Sequence, residues 1–318
     1  MNKKVIVLVM SARSEFFTEQ VNVCKKTYAS DLPENWRFIY YDGNWTETRL
    51  DDDHLMIQCL DSLDATYRKT YEALKYLRNF EDFDYIIRLN TSTYLNTQLA
   101  YKLIESGLDD SVIYGSELYS LSEATAPYPM NLYTRGNCMI MSRHIVDIIL
   151  SHGLSMLYSG IVDDQAIGCV LNSYYMSKGD NYLNHIKGLP HSWYKCIDVD
   201  GGNGHANSTY ANDNLDICAR SVTTQIKCYS DRAFEEEHYY ELHEYINKSN
   251  PDIEYAKSYM TNPSIFLGSI LGYVPFDKWL EIDKQQLYIF EVTHKAADDD
   301  QINQTLERVR NFNMIHSF

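Results

Sequence analysis

Residues Tyr85-Ile86-Ile87-Arg88-Leu89 read as a buried strand that breaks directly into a polar turn, Asn90-Thr91-Ser92-Thr93. A second short apolar pair, Tyr94-Leu95, follows. An open α/β sheet takes its ligand at the carboxyl ends of its strands, so this turn is the point around which the rest of the chain is arranged. Val5–Met10 is a continuous β-branched apolar run, the mark of a central parallel strand. It ends at Ser11-Ala12-Arg13-Ser14. Residues 16–27 then place Phe17, Val21 and Cys24 on one face of a helix, and residues 36–41 form the next strand, closed by Asp42-Gly43. Strand, helix, strand predicts a parallel sheet.

The chain has 318 residues, enough for one large domain or two modest ones. Its net charge of −16 leaves no bulk basic footprint of the kind that grips a phosphate backbone. Cysteines fall at 24, 59, 138, 169, 196, 218 and 228, odd in number and without a CxxC pair. That spacing supplies neither a zinc nor a disulfide framework and predicts reduced thiols in a cytosolic compartment. The first apolar run is too short to span a membrane. The expectation is a cytoplasmic protein with no membrane partner, in a bacterial cell or a phage-infected host.

Three consecutive acids, Asp51-Asp52-Asp53, suit the start of a helix, where the dipole favours negative charge, rather than a metal site. Residues 55–80 follow as a long helix with Met56, Leu60, Leu63, Tyr67, Leu74 and Leu77 at helical spacing. Residues 98–106 form a short helix and 112–115 a strand. In Tyr133-Thr134-Arg135-Gly136-Asn137-Cys138, Gly136 fits a close backbone approach, and Ser142 caps a helix over 143–152. Asp163-Asp164 opens another helix, where adjacent acids also serve as a cap. A glycine- and asparagine-rich stretch near 196–214 reads as a mobile loop. A strand over 221–227 and a charged helix over 234–246 follow it. Residues 250–318 alternate short helical stretches and carry no motif.

The segment from Asp84 to Asn96 resembles the "DYxxxxDDDTYVN" motif of the fringe-like β-1,3-glycosyltransferases. It is closer still to the "RxNxST" version in bacterial and viral relatives. Asp61 to Thr70 resembles the family's "DxYxNLTxKT" helix, with Lys69 at its lysine, and Tyr133 to Ser142 resembles "YxxGxGYVLS". The pair Asp163-Asp164 followed by Gly168 matches a further family pattern. The resemblance covers roughly residues 1–200. It implies an α/β fold of GT-A (Rossmann-like) type, with a mostly parallel central sheet flanked by helices and a helical C-terminal extension. The expected domains are a glycosyltransferase domain over 1–245 and a mainly helical extension over 246–318.

The family's Asp triplet holds a divalent metal on the diphosphate of a sugar nucleotide. Here those positions are Asn90, Thr91 and Ser92, poor ligands for Mg²⁺ or Mn²⁺ beside carboxylates. The replaced turn therefore predicts that no cofactor is required and leaves a divalent metal, Mn²⁺ or Mg²⁺, as the open alternative. A basic pair, Lys227 and Arg232, is the candidate to neutralise the leaving diphosphate. His191 falls where GT-A enzymes place a late metal-binding histidine, but its partner ligands are missing.

The resemblance implies an inverting glycosyltransferase that moves a sugar from a nucleotide sugar, expected to be UDP-linked, to a hydroxyl acceptor. Asp164 is the expected base, with Asp163 as runner-up. Ser11, Arg13, Asp42, Lys69, Asn90, Thr91 and Ser92 are candidates for donor binding, and Arg135, Gly136 and Asn137 for the acceptor side. Two alternatives stand beside it. One is a phage-type enzyme that glycosylates hydroxymethylated DNA bases, suggested by the acidic, tyrosine-rich, lysine-over-arginine composition. The other is a protein of the same fold that binds nucleotide sugars without transferring them.

Overall fold

The computed structural model describes residues 2–116, 118–121, 131–193, 218–220, 235–248, 251–267, 272–275 and 277. The expected loop near 196–214, the strand over 221–227 and the basic pair Lys227 and Arg232 lie outside the described residues. The chain opens with β1 (Val5–Met10), α1 (Glu15–Lys26) and β2 (Trp36–Asp42), and β1 and β2 pair in parallel. Ser14 caps α1 by accepting a hydrogen bond from the Phe17 N–H, and Lys25 and Lys26 close its last turn, where the dipole favours positive charge.

The next stretch departs from expectation. In place of one helix over 55–80 there is a hairpin, β3 (Arg49–Asp51) and β4 (His54–Met56), and then α2 (Thr66–Phe80). Asp51-Asp52-Asp53 thus forms a hairpin turn rather than a helix start, with Asp52 in the left-handed region at φ 56°. The cause lies in the apolar spacing. Tyr67, Tyr71, Leu74 and Leu77 make one buried stripe, whereas Leu60 and Leu63 are exposed and Met56 is buried on a strand.

Then come β5 (Tyr85–Asn90), β6 (Thr93–Leu95), α3 (Thr97–Glu105), β7 (Ile113–Gly115), β8 (Leu118–Leu121), β9 (Asn131–Thr134) and β10 (Cys138–Ser142). Ser142 caps α4 (Arg143–His152) through the Ile145 N–H, as its sequence position predicts. α5 (Asp163–Ser177), β11 (Ile186–Gly188), β12 (His191–Trp193) and β13 (Cys218–Arg220) follow. The described C-terminal elements are α6 (Glu235–Ile246), α7 (Ile253–Thr261), β14 (Ser264–Leu267) and β15 (Gly272–Pro275).

The molecule is a mixed α/β structure. Its central sheet runs in the order β11-β7-β10-β5-β1-β2-β4-β3, and the run β5-β1-β2-β4 is parallel throughout. β10 lies antiparallel to both β5 and β7. Alternation along the strands divides the core between two faces. Ile6, Leu8 and Ile86 pack with α2, α4 and α5 on one face. Val5, Val7, Val9, Ile87 and Leu89 pack with α1, α3, α6 and α7 on the other.

Two small sheets flank this core, β12-β13-β6 and β15-β14-β8-β9. The described part of 246–318 is therefore not wholly helical: after α7 the chain adds β14 beside β8, in parallel, and returns as β15. A short run such as Ser264-Ile265-Phe266-Leu267 is too brief to show a periodicity, and its parallel partner β8 lies far away in sequence.

β9 lies against β7 with no room for a side chain between them. A Cβ added to Gly115 would sit 2.2 Å from the Thr134 Cβ. Gly115→Ala is expected to lower unfolding free energy by about 1–3 kcal/mol through overpacking, read as a lower urea midpoint. An unchanged midpoint would contradict the described approach of β9 to β7.

Candidate functional site

The strand ends form one polar rim. Parallel register sets Met10 beside both Tyr41 and Asn90, so Ser11, Asp42 and Thr91 follow at a common level. Across β5, Cys138 pairs with Leu89, which brings Asn137 opposite Asn90 and Gly136 opposite Thr91. The predicted residues Gly136, Asn137, Asn90, Thr91, Ser11 and Asp42 thus share one edge. Three strand spacings of ~4.8 Å give that edge a length of about 14 Å.

The turn itself is held from behind. The Thr91 carbonyl accepts hydrogen bonds from the Tyr239 hydroxyl of α6 and, at 3.8 Å, from the Cys24 thiol of α1. Burial pushes the Cys24 thiol up to about 12, so it stays protonated and donates. Tyr94 and Tyr239 meet edge to face beneath the turn, and the Tyr94 hydroxyl bonds the His243 ring at 3.0 Å. Thr91 and Ser92 are buried, and Asn90 is half-buried.

At the β2 end, the buried Asp42 carboxylate takes hydrogen bonds from the Trp45 indole N–H and from His54 Nε2, the latter at 3.0 Å. The His54 ring stacks on Tyr40 with centroids 4.4 Å apart and meets Trp45 edge-on. Arg13 lays its guanidinium over the Trp45 ring, 4.4 Å from the centroid, and donates to the Asn44 carbonyl. Its backbone N–H reaches Asp61 at 2.6 Å. Lys69 is buried beneath this loop, where its ammonium bonds the Ser11 carbonyl at 2.7 Å and Asp61 at 2.6 Å. Lys69 thus ties the β1 end to the loop before α2. Sequence reasoning missed Trp45 and His54, because they meet Asp42 only once the hairpin has formed.

The acidic pair divides into two environments. Asp163 is buried and forms an ion pair with Arg88 at 2.6 Å. It also accepts from Thr70 Oγ1 at 3.0 Å, and that hydroxyl bonds the Tyr41 hydroxyl at 2.8 Å. Asp164, half-buried, accepts from the backbone N–H of Gly136 at 2.8 Å and from that of Gln165 at 2.7 Å. Burial and the neighbouring Asp163 charge raise its pKa above the usual carboxylate range, while the Gly136 N–H and Arg88 pull the other way. Gly136 is required here: a Cβ would lie 2.8 Å from the Arg88 guanidinium and 3.3 Å from the Asp164 carboxylate.

Arg88 is the residue that the strand pattern concealed. It is fully buried, and one guanidinium nitrogen reaches both Asn90 Oδ1, at 2.8 Å, and the Gly136 carbonyl. The other nitrogen also contacts the Met10 sulfur at 3.1 Å. Burial works against its charge, but Asp163, Tyr41 and Asp164 more than offset this and hold its pKa above the ordinary value. A charged residue inside an apolar β-run was the available signal, since full burial of arginine demands a paired carboxylate.

The turn does not fit a divalent metal. It offers no carboxylate, and its amide oxygen at Asn90 already faces a guanidinium. Among the described residues no group of three His, Cys, Asp or Glu stands ready to hold an ion. His191 sits on β12 with its Nδ1 3.2 Å from the Leu189 carbonyl. Beside Gly136, Arg135 packs over the Tyr119 ring at 5.2 Å. Asn137 is buried, and its Oδ1 has no hydrogen-bond partner among the described residues.

No protein-family model matches the chain, and no curated protein matches it either. Among solved structures, it is similar at 12% identity to a glycosyltransferase involved in glycosylation of the major capsid of PBCV-1. That match has a TM-score of 0.38 and covers 74% of this chain and 98% of the other. It is also similar at 11% identity to the galactosyltransferase LgtC in complex with donor and acceptor sugar analogues. Here the TM-score is 0.40, and 78% of this chain and 98% of the other are covered. No helix among the described residues is long and apolar enough to cross a membrane.

Proposed function

We propose that the chain transfers a sugar from a nucleotide sugar, a UDP-sugar, to a hydroxyl acceptor with inversion at the anomeric carbon. The observation that carries this reading is Asp164, a half-buried carboxylate of raised proton affinity, hydrogen-bonded to the strand-end rim at Gly136. The order of motifs along the sequence points the same way. Along the rim, Arg13, Trp45 and Asp42 offer a cation, an aromatic face and a carboxylate to the nucleoside. Ser11, Asn90, Thr91 and Ser92 border the diphosphate. Gly136 and Asn137, whose amide oxygen has no partner among the described residues, border the acceptor with Arg135.

In the reaction, the acceptor oxygen attacks the anomeric carbon while its proton passes to the Asp164 carboxylate. The bond from that carbon to the diphosphate oxygen breaks, and the diphosphate leaves with the electron pair. A base whose pKa lies nearer neutrality suits this transfer. The charge growing on the leaving group needs fixed cations, and Lys227 and Arg232 supply them. The acceptor is a hydroxyl of a glycan or, in the phage-type reading, of a hydroxymethylated DNA base.

Asp164→Asn is expected to keep the heat of UDP binding in calorimetry and to reduce transfer by ~10²–10⁴-fold. No saturable binding of any nucleoside diphosphate by the wild-type chain would end the nucleotide-sugar reading. Binding of UDP without transfer or donor hydrolysis would leave a protein that binds and does not transfer.

Transfer is also expected to persist in excess chelator, and Lys227→Ala or Arg232→Ala to lower it at least ~10-fold, as loss of a charge-stabilising donor does. Abolition by EDTA with recovery on Mn²⁺ would show that a metal does this work.

A further inference from the structure

The general-base reading leaves the buried Arg88 guanidinium without a role. We propose that Arg88 is a positioning residue of this site: it engages Asp163 as a closed ion pair, leaves Asp164 as the carboxylate that takes the acceptor proton, and ties both to the donor turn through Asn90. The proposal rests on the reading of Asp164 as the base. Four segments converge on the one guanidinium: the β1 end at Met10, the turn at Asn90, the loop at Gly136 and the α5 start at Asp163. A lysine ammonium is a point charge and cannot reproduce this planar, forked arrangement.

A buried ion pair adds little net stability compared with apolar residues of the same size. Stability alone therefore gives weak reason to place an arginine here, whereas geometry gives a stronger one. Asp163 has its charge answered by Arg88 and a further oxygen contact answered by Thr70. Asp164 takes its hydrogen bonds from two backbone N–H groups, which leave it free to gain and lose a proton. Among the described residues, the charged and titratable groups that bear on the pair are Arg88 on β5 and Tyr41 on β2, together with the two aspartates themselves. Removing the guanidinium charge leaves two adjacent carboxylates with no cation, and such a pair holds a proton to higher pH. The site would then be switched off over part of its working range. Loss of the link through Asn90 would also free the turn from the acidic pair.

The test compares wild type, Arg88→Gln and Arg88→Lys by two readouts: the pH profile of transfer and a carbon-13 NMR titration of the aspartate carboxyls. The expected result for Arg88→Gln is that the acid limb and the Asp164 carboxyl midpoint both move upward by about 1 pH unit or more, the shift a nearby opposite charge typically causes. Arg88→Lys, which keeps the charge but not the fork, is expected to leave the midpoint near its wild-type value and to lower transfer at saturating donor. A folded Arg88→Gln with an unmoved midpoint overturns the proposal. If Arg88→Gln does not fold, the paired replacement Arg88→Met with Asp163→Leu removes both charges together. This variant is expected to fold and to lose at least ~10-fold in transfer rate although Asp164 is intact, a loss of the size that misplacement at a reacting centre produces. An unchanged rate in it overturns the proposal. A wild-type chain that neither transfers nor hydrolyses any donor sinks the base reading, while the carboxyl titration still decides the pairing.

Discussion

The site depends on one buried contact, the Arg88–Asp163 ion pair at 2.6 Å. Taking a guanidinium and a carboxylate out of water is costly unless partners in the fold offset the loss. Here the compensation comes from parts of the chain that must already be in register. β5 must set Arg88 two residues before the turn, β10 must bring Gly136 across from it, and α5 must begin at Asp163. The pair therefore forms only when the loop at Gly136, the turn at Asn90 and the start of α5 are assembled together. The absence of a side chain at Gly136 follows from the same crowding.

A second buried pair does similar work at the other end of the rim. Lys69 and Asp61 lock the loop before α2 to the Ser11 carbonyl, and the Asp61 N–H bonds Asn44 Oδ1 in the segment between β2 and β3, where the Asn44 carbonyl and the Trp45 ring meet Arg13. Both pairs lie just beneath the strand ends, so the rim rests on fixed charges rather than on apolar packing alone. Apolar packing is responsible for the distance between the layers. Behind the rim, α6 supports the turn through Tyr239, whose hydroxyl meets the Thr91 carbonyl.

Much of this frame is legible in the sequence where one local rule dominates. The run Val5–Met10 reads as a buried strand from its unbroken apolar, β-branched character, and Ser142 before an apolar helical stripe fixes the start of α4. The strand ending at Asn90 is read as strand and turn from its apolar run and polar close. The rule fails where the signal is shared. Met56 and Leu60 fall on a helical period by accident, and the chain instead folds back at Asp52-Asp53 so that Leu55 can join the core. β14 and β15 are short and depend on β8 for their existence. Arg88 reads locally as one polar interruption in a strand, and only its meeting with Asp163 gives it meaning. Trp45 and His54 are in the same position, since their common partner Asp42 lies on a different strand. Contacts made across the fold leave no trace in periodicity.

If Asp164 deprotonates an incoming hydroxyl that attacks from the face opposite the leaving diphosphate, the stereochemistry of the first turnover must record it. The measurement is time-resolved proton NMR of an α-linked UDP-sugar incubated with the chain, with water or a simple alcohol as acceptor. The anomeric coupling of the first-formed product is read before mutarotation. The account predicts a β-configured product. An α-configured first product would contradict a single displacement with Asp164 as base.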